Sequence, residues 1–284
     1  MDYKVKEDSK LIREILNITQ SDLASAIGVS RNVVVFCENG KTNMGLANME
    51  RLYSYAFSKG VHLNKIKAMF YQEEAKETHL TLFHASKGGI KGEISPSKGR
   101  ANNDFGHGFY CGESYEQPVS LVSSYPNPSL YIIDFLPSGL KGISFNVDGD
   151  WMLAVAYFRG TLSEYKDHPI VKRIVSKVES ADYIVAPIAD NRMFRIIDSF
   201  IAGEITDEQC KHCLAATDLG KQYVFLTDKS VRQIKILERC FICEKEKEHF
   251  LLQKEDDLKM GDQKVRAARS KYRGAGQYID EILK

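Results

Sequence analysis

The sequence predicts an α+β protein, with an all-α helix-turn-helix domain followed by a mixed α+β domain and a helical carboxy-terminal tail. Three observations predict it. Helical periodicity without β-rich runs occupies residues 11–76. From Thr81 short β-rich runs alternate with apolar helical runs over about 165 residues. Residues 244–284 then turn charged and helical, with a break at Gly274-Ala275-Gly276. The expected organisation is a helix-turn-helix domain at 1–60, a helical linker at 61–78, the mixed domain at 79–243 and the tail at 244–284.

Composition narrows the classes. At 284 residues the chain is long enough for two ordinary cores, and 43% hydrophobic with 27% charged residues is usual for a globular protein. No apolar run approaches the roughly 20 residues of a spanning helix, and the start MDYKVKEDSK lacks the order of a signal peptide, so a cytoplasmic protein without membrane contact is expected. Net charge is +1, and residues 1–76 carry 11 basic against 9 acidic groups. Any nucleic acid must therefore be recognised by a shaped element with a few placed cations.

Six cysteines include two C-x-x-C pairs, Cys210/Cys213 and Cys240/Cys243, with 26 residues between them. Such pairs suggest zinc. The first pair, however, reads as part of a helix opening at Thr206. The second reads as strand, on which residues three apart face opposite ways. Buried structural thiols are the preferred account, and no metal is expected.

The first helix is LIREILNI, with Leu11, Ile12, Ile15 and Leu16 on one face. Thr19 caps a second helix, QSDLASAI, which Gly28 ends. Val29 and Ser30 start a third, RNVVVFCENGK, which Asn39-Gly40 stops. Two short helices across a tight turn are the geometry that lays the second in a DNA major groove. NMERLYSYAFSKG and HLNKIKAMFYQEEAKE read as two further helices. The stretch LNITQSDLASAIGVSRNVVVFCENGK resembles the Cro/repressor-type helix-turn-helix family over about a fifth of the chain. That resemblance implies that Gln20 meets a phosphate or base edge, that Ser30, Arg31 and Asn32 face the groove, and that Lys41 meets backbone phosphate. It places Ala24, Ile27, Val29 and Val34 in the core, and implies a homodimer on a two-fold operator. A helical docking module without DNA contacts is the other reading, since Val33, Val34 and Val35 make the reading helix apolar.

In the mixed domain LTLFHAS, SLYIIDFL, KGISFNV, ADYIVAPIA, KQYVFLTD and QIKILERCFI read as strands. MLAVAYFRGTL and NRMFRIIDSFIAGEI read as helices, with Trp151 a core anchor. Two stretches form a candidate nucleotide pocket: Leu82-Phe83-His84-Ala85-Ser86, a strand feeding a turn, and Asn103-Asp104-Phe105-Gly106-His107-Gly108-Phe109-Tyr110-Cys111. Gly106 and Gly108 let a flat ligand approach the main chain, Phe109 and Tyr110 offer aromatic faces, and His107 points to solvent.

LFHASKGGI and DFGHGFYCGES, with 26 residues from His84 to Tyr110, resemble the diphtheria-toxin and poly(ADP-ribose)-polymerase class of ADP-ribosyltransferases. More narrowly, these motifs with ADYIVAPIADNRMF, FIAGEITDEQC and KQYVFLTDKSV resemble the domain of unknown function numbered 3990. That family is grouped with those transferases and often sits in toxin–antitoxin-like operons. The resemblance covers roughly residues 80–240 and implies a split-sheet fold with NAD⁺ as substrate. His84 would then hydrogen-bond the adenosine-side ribose, the Ala85 main chain would hold the nicotinamide amide, and Ser86 would support it. Tyr110 would stack on the nicotinamide ring, and Gly108 would let the ring approach closely. Ala85 stands where the class prefers glycine. Gln222 stands where the class has a glutamate that stabilises the ribosyl cation. An amide can orient the ribose hydroxyl but supplies no charge, and Asp190 and Asp228 are candidates for a substitute acid.

The resemblance therefore implies a DNA-binding mono-ADP-ribosyltransferase that transfers ADP-ribose to an unknown macromolecular acceptor. It would be a toxin-like or defence enzyme with self-regulation and an antitoxin-like partner protein. The alternative is a transcriptional regulator whose degenerate transferase domain senses NAD⁺, which Gln222 favours. A zinc-stabilised interaction protein, resting on the four paired cysteines, is the third reading.

Overall fold

The computed structural model describes residues 2–216 and 219–284. In chain order its helices are α1 (Val5–Leu16), α2 (Gln20–Ala26), α3 (Arg31–Glu38), α4 (Leu46–Ser58), α5 (Leu63–Glu73), α6 (Glu116–Val122), α7 (Gly149–Arg159), α8 (Pro169–Glu179), α9 (Asn191–Ile201), α10 (Asp207–Ala215), α11 (Asp228–Val231), α12 (Glu244–Lys271) and α13 (Ile279–Ile282). The strands are β1 (Leu80–Ser86), β2 (Phe109–Gly112), β3 (Ser129–Phe135), β4 (Gly142–Ser144), β5 (Tyr183–Pro187), β6 (Lys221–Phe225) and β7 (Ile234–Phe241). The architecture is mixed α+β, a helical amino-terminal region followed by strands and helices. The chain divides into two compact units.

The first unit comprises Met1–Gly89, Ser114–Phe135 and Lys235–Gln253. Its helical part follows the sequence grammar closely. Thr19 accepts a hydrogen bond from the Asp22 amide while the Asp22 carboxylate accepts from the Thr19 amide, a reciprocal capping box that fixes the start of α2. Gly28 at φ +66° takes the left-handed conformation that turns the chain into α3. Leu23, Ala24, Ile27, Val34 and Leu52 form the core with Cys243, and Val29 packs at its edge. Ile15, expected on the buried face of α1, is 46% exposed. The helix begins at Val5, six residues before Leu11, and its buried stripe runs Val5, Asp8, Ser9, Ile12. On a 3.6-residue period that stripe continues through the half-buried Leu16 and leaves Ile15 outside.

The strands of this unit run in the order β1-β3-β7. β1 and β3 pair antiparallel, with His84 opposite Tyr131, Ala85 opposite Leu130 and Ser86 opposite Ser129. Phe83, Val119, Leu130, Ile132 and Cys240 make the core beneath them. The segment expected to be a linker carries α5, whose Leu63, Asn64, Lys67 and Ala68 are all buried.

The second unit comprises Ile90–Glu113, Leu136–Ile234 and Lys254–Lys284. Its strand order is β4-β5-β6-β2, with β4 and β5 parallel and the other two pairs antiparallel. α7 is apolar around its whole girth, burying Trp151, Met152, Leu153, Ala154, Val155 and Ala156, so it serves as the central helix of this core. Trp151 is fully buried, as its sequence context suggests. β2, α6 and α8 are elements for which the sequence reading has no counterpart.

All six cysteines are buried free thiols. Burial pushes each of them above the usual thiol range, which makes them poor nucleophiles. Among the described residues no helix is long and apolar enough to cross a membrane.

Candidate functional site

Two sets of residues suggest function, and the first lies on α2 and α3. Ser30, Arg31, Asn32 and Lys41 are exposed, as groove-facing residues must be. Ser30 begins α3 in extended geometry, and its hydroxyl makes no capping bond. Val34 is spent on the core and Val33 and Val35 are half-buried, so the apolar residues of α3 serve the fold.

Gln20 is held from inside. Its Nε2 donates to Glu38 Oε2 at 2.9 Å. Glu38 is buried and also accepts from Arg13 Nε and Nη2, each at 2.7 Å, and from Ser9 Oγ at 3.0 Å. Burial pushes the Glu38 carboxyl up, but the bonds from Arg13, Gln20 and Ser9 outweigh it and hold the group below the usual carboxylate range. The result is a rigid floor to an open concavity of about 470 Å³, lined by Arg13, Gln20, Ser21 and Arg31 among others. One Gln20 N–H is committed to this floor, which fixes the direction in which the rest of the amide points.

The second set is built around the motif at 104–110, in the second unit. β2 pairs with β6 so that Tyr110 lies opposite Val224 and Gly112 opposite Gln222. Residues two apart share a face of the sheet, so Tyr110 and Gln222 are diagonal neighbours on one face. The loop before β2 ties both down. The Tyr110 hydroxyl donates to the Gly106 carbonyl at 2.8 Å and accepts from the Phe105 amide at 3.1 Å. Gly106, at φ +72°, supplies the turn that brings those two groups to one hydroxyl. Burial raises the Tyr110 phenol well above its ordinary range, so it stays neutral and can both donate and accept. The ring is thereby fixed at its far end.

Gln222 is buried and anchored by Asp104, a residue the sequence reading did not single out. Its Nε2 donates to Asp104 Oδ2 at 2.6 Å and to the Pro187 carbonyl at 3.0 Å. Both partners are acceptors, so the nitrogen is assigned by chemistry. Oε1 takes no hydrogen bond among the described residues. Asp104 is itself saturated: Oδ1 accepts from Arg159 Nε at 2.8 Å and Nη2 at 2.5 Å, and Oδ2 from the Ala189 amide at 3.1 Å. Arg159 also donates to the Ala189 carbonyl at 2.5 Å and stacks over Phe194 at 4.5 Å. The buried ion pair therefore serves to orient an amide whose carbonyl oxygen is the atom left over.

Of the two candidate substitute acids, one is engaged and the other exposed. Asp190 caps α9, accepting from the Arg192 and Met193 amides at 3.0 and 2.8 Å. Asp228 is exposed at the first residue of α11. The carboxylate beside Gln222 is Asp104.

Gly108 and Phe109 lie on the same stretch. A side chain at Gly108 would come within 2.8 Å of Val224 Cγ1, so the space beside it is taken by β6 and only its main chain is on offer. Phe109 is half-buried and tilted against Phe225 at 6.4 Å. His107 is exposed, with Nδ1 2.7 Å from the Gly99 carbonyl.

His84, Ala85 and Ser86 lie half-buried at the end of β1, in the first unit. The His84 ring is 6.3 Å from that of Tyr131. Ser129, opposite Ser86, accepts from Arg239 Nε and Nη2 at 3.1 and 3.0 Å and pairs with the Tyr3 hydroxyl at 2.8 Å. The Arg239 guanidinium lies 4.3 Å from the Tyr3 ring centre. Tyr131 and Arg239 carry no sequence signal of their own; only strand pairing shows their place.

Two family profiles match. One, described as helix-turn-helix, covers residues 10–52 and supports the reading of α2 and α3 as a DNA-binding element. The other, described as a protein of unknown function (DUF3990), covers residues 80–236, more than half of the chain. No curated protein and no solved structure matches significantly.

Proposed function

The chain belongs to the family described as proteins of unknown function (DUF3990), and from that premise we propose that it is a DNA-binding mono-ADP-ribosyltransferase that cleaves NAD⁺. One observation carries the reading. The loop at 104–106 holds Tyr110 and Gln222 on one sheet face, leaving an aromatic ring with a fixed far end and an unbonded amide oxygen side by side. An aromatic face suits the nicotinamide ring, and an acceptor beside it suits a ribose hydroxyl. The motif resemblance adds His84, Ala85 and Ser86 of β1, with His84 on the adenosine-side ribose. Gly106 and Gly108 would contribute main chain only, with Phe109 beside them.

In the reaction, the bond between the ribose carbon and the nicotinamide nitrogen breaks, and its electron pair leaves with nicotinamide. The acceptor's nucleophilic atom bonds that carbon and gives up its proton. Gln222 Oε1 would orient the ribose hydroxyl and turn a carbonyl dipole towards the developing cation. It provides less than a carboxylate would, so turnover is expected to be slow. The helix-turn-helix suits self-regulation of the enzyme's own operon, with Arg31 and its neighbours on the operator. A toxin-like role with a neutralising partner follows from the same resemblance.

The test is incubation of the purified chain with labelled NAD⁺ and cell extract, reading nicotinamide release and label transfer. Both are expected for the wild type, with loss of at least a hundredfold in His84→Ala and Tyr110→Ala, about what removal of a single stabilising group costs elsewhere. Neither release nor transfer by the wild type would overturn the enzymatic reading. The amide at Gln222 favours a second one, a regulator that senses NAD⁺ without consuming it. In that case NAD⁺ changes operator affinity, and His84→Ala removes the change.

A further inference from the structure

Away from these residues, α9, α10 and α12 enclose a small cavity of about 200 Å³ in the second unit. We propose that it binds a phosphate-bearing anion. Its walls carry three arginines, Arg192, Arg195 and Arg269, against one carboxylate, Asp262, and Ile196, Ile205 and Val265 form an apolar floor. The volume lies below the roughly 300–1,000 Å³ of pockets for drug-sized ligands, so a phosphate group fits and a dinucleotide does not.

Arg192 is the main argument. It is only 8% exposed, yet it has no carboxylate partner among the described residues. Its acceptors are two main-chain carbonyls of α12, Asp257 and Leu258, at 3.4 and 3.3 Å from Nη1, and its Nε has no partner among the described residues. Arg159 in the same unit is answered by Asp104. A buried guanidinium is stable when an anion faces it, and among the described residues none faces Arg192. Gly261 leaves room for it, because a Cβ there would meet the Arg192 guanidinium. Glycine inside a helix is unfavourable, so α12 gives up helix stability where Arg192 crosses it.

The rim completes the site. Arg195 is exposed and has no partner among the described residues, while Arg269 lies 3.7 Å from Glu204, whose carboxylate also takes the Ser199 hydroxyl at 2.8 Å. An entering phosphate would compete with Glu204 for Arg269 and meet Arg192 and Arg195 with Asp262 as the one carboxylate of the lining. The planar fork of arginine matches two phosphate oxygens at once. Occupancy would pin the carboxy-terminal half of α12 to α9, so a phosphate ligand would order the tail.

The proposal does not depend on NAD⁺ turnover, and its test is separate. The full chain is titrated calorimetrically with inorganic phosphate and with adenosine 5′-monophosphate, each at ionic strength matched by sodium chloride. Saturable binding of one phosphate per chain is expected. Tighter binding of the monophosphate would identify a nucleotide as the source, and equal binding would identify the free anion. Arg195→Ala, at an exposed position, should fold normally and weaken binding about tenfold, the loss of one charge-assisted bond. Arg192→Met should abolish binding while raising the melting temperature of the ligand-free protein, because it removes an unanswered buried charge. No heat beyond the sodium chloride control, or equal affinity in the wild type and Arg195→Ala, would overturn the proposal.

Discussion

At the scale of single residues, the proposed reaction turns on Gln222. An amide there is required by its surroundings, since its nitrogen must donate to both Asp104 and the Pro187 carbonyl. Gln222→Glu would restore the acid usual in the transferase class, yet it would set a carboxylate against two acceptors. Burial and Asp104 would raise the pKa of the new acid. A raised carboxylate contributes stability while protonated and loses it as pH rises through its folded pKa. Gln222→Glu should therefore cost roughly 2–4 kcal/mol at pH 8 and much less at pH 5. Thermal melts at the two pH values check it, and equal stability at both would mean that Asp104 does not dictate the amide. The sequence made Gln222 and Tyr110 visible because each falls within a motif. Asp104 stood inside the same motif and carried no separate signal. Its role depends on Arg159, 55 residues away, and on two main-chain groups of the β5–α9 turn, partners that only the fold brings together.

Among the elements, those that encode their own boundaries were legible. Thr19 and Asp22 open α2, Thr206 and Gln209 open α10, and β-rich apolar runs mark β1, β3 and β5. β2 escaped because four residues flanked by glycine give no period to read. α8 was missed despite a readable pattern, Pro169 in its first turn and Val171, Ile174 and Val178 on one face. The start of α12 holds what no pattern could reveal. Glu246 is buried and bonded by Asn64 Nδ2 of α5 at 2.8 Å, and the Asn64 side-chain oxygen has no partner among the described residues. Burial pushes the Glu246 carboxyl up to about 8, against weaker opposing effects of Asn64 and Lys67. Protonated, it could donate to the orphaned Asn64 oxygen. Because the folded pKa exceeds the unfolded one, this stabilisation is complete below about pH 4.5 and falls as pH rises towards 8. Glu246→Gln should leave stability at pH 5 nearly unchanged and raise it by a few kcal/mol at pH 9. Chemical denaturation at both pH values checks this, and parallel pH profiles for variant and wild type would refute it.

For the molecule as a whole, the sequence suggested a separable DNA-binding domain, and the first unit bears on that expectation directly. Its core joins the helix-turn-helix to the segment after β3: Phe241 of β7 stacks on Tyr53 of α4 at 5.1 Å and meets the Tyr3 ring edge-on at 5.5 Å. At the centre Lys67 of α5 lies 2.5 Å from both Asp8 of α1 and Glu238 of β7. Tyr53 donates to Asp8 at 2.5 Å, and Lys4 and Tyr71 donate to Glu238 at 2.9 Å. Burial raises the Asp8 carboxyl more than Lys67 and Tyr53 lower it, whereas Lys67, Lys4 and Tyr71 together bring Glu238 below its ordinary value. Such a network could not be read from three residues spaced 59 and 171 apart in the chain. It joins α1, α4 and α5 to β7 within the first unit. On the proposed function, a ligand at β1 and DNA at α2 and α3 would bind the same unit, and any coupling between them would be reciprocal. Lys67→Met leaves two buried carboxylates facing each other and should cost about 3–5 kcal/mol. If the first unit unfolds as one body, the amides of α1, α3 and β7 lose hydrogen-exchange protection by the same factor in this variant. Retained protection in α1 and α3 with loss confined to β7 would instead make the helix-turn-helix an independent domain, and would remove the shared unit through which a bound ligand could regulate DNA binding.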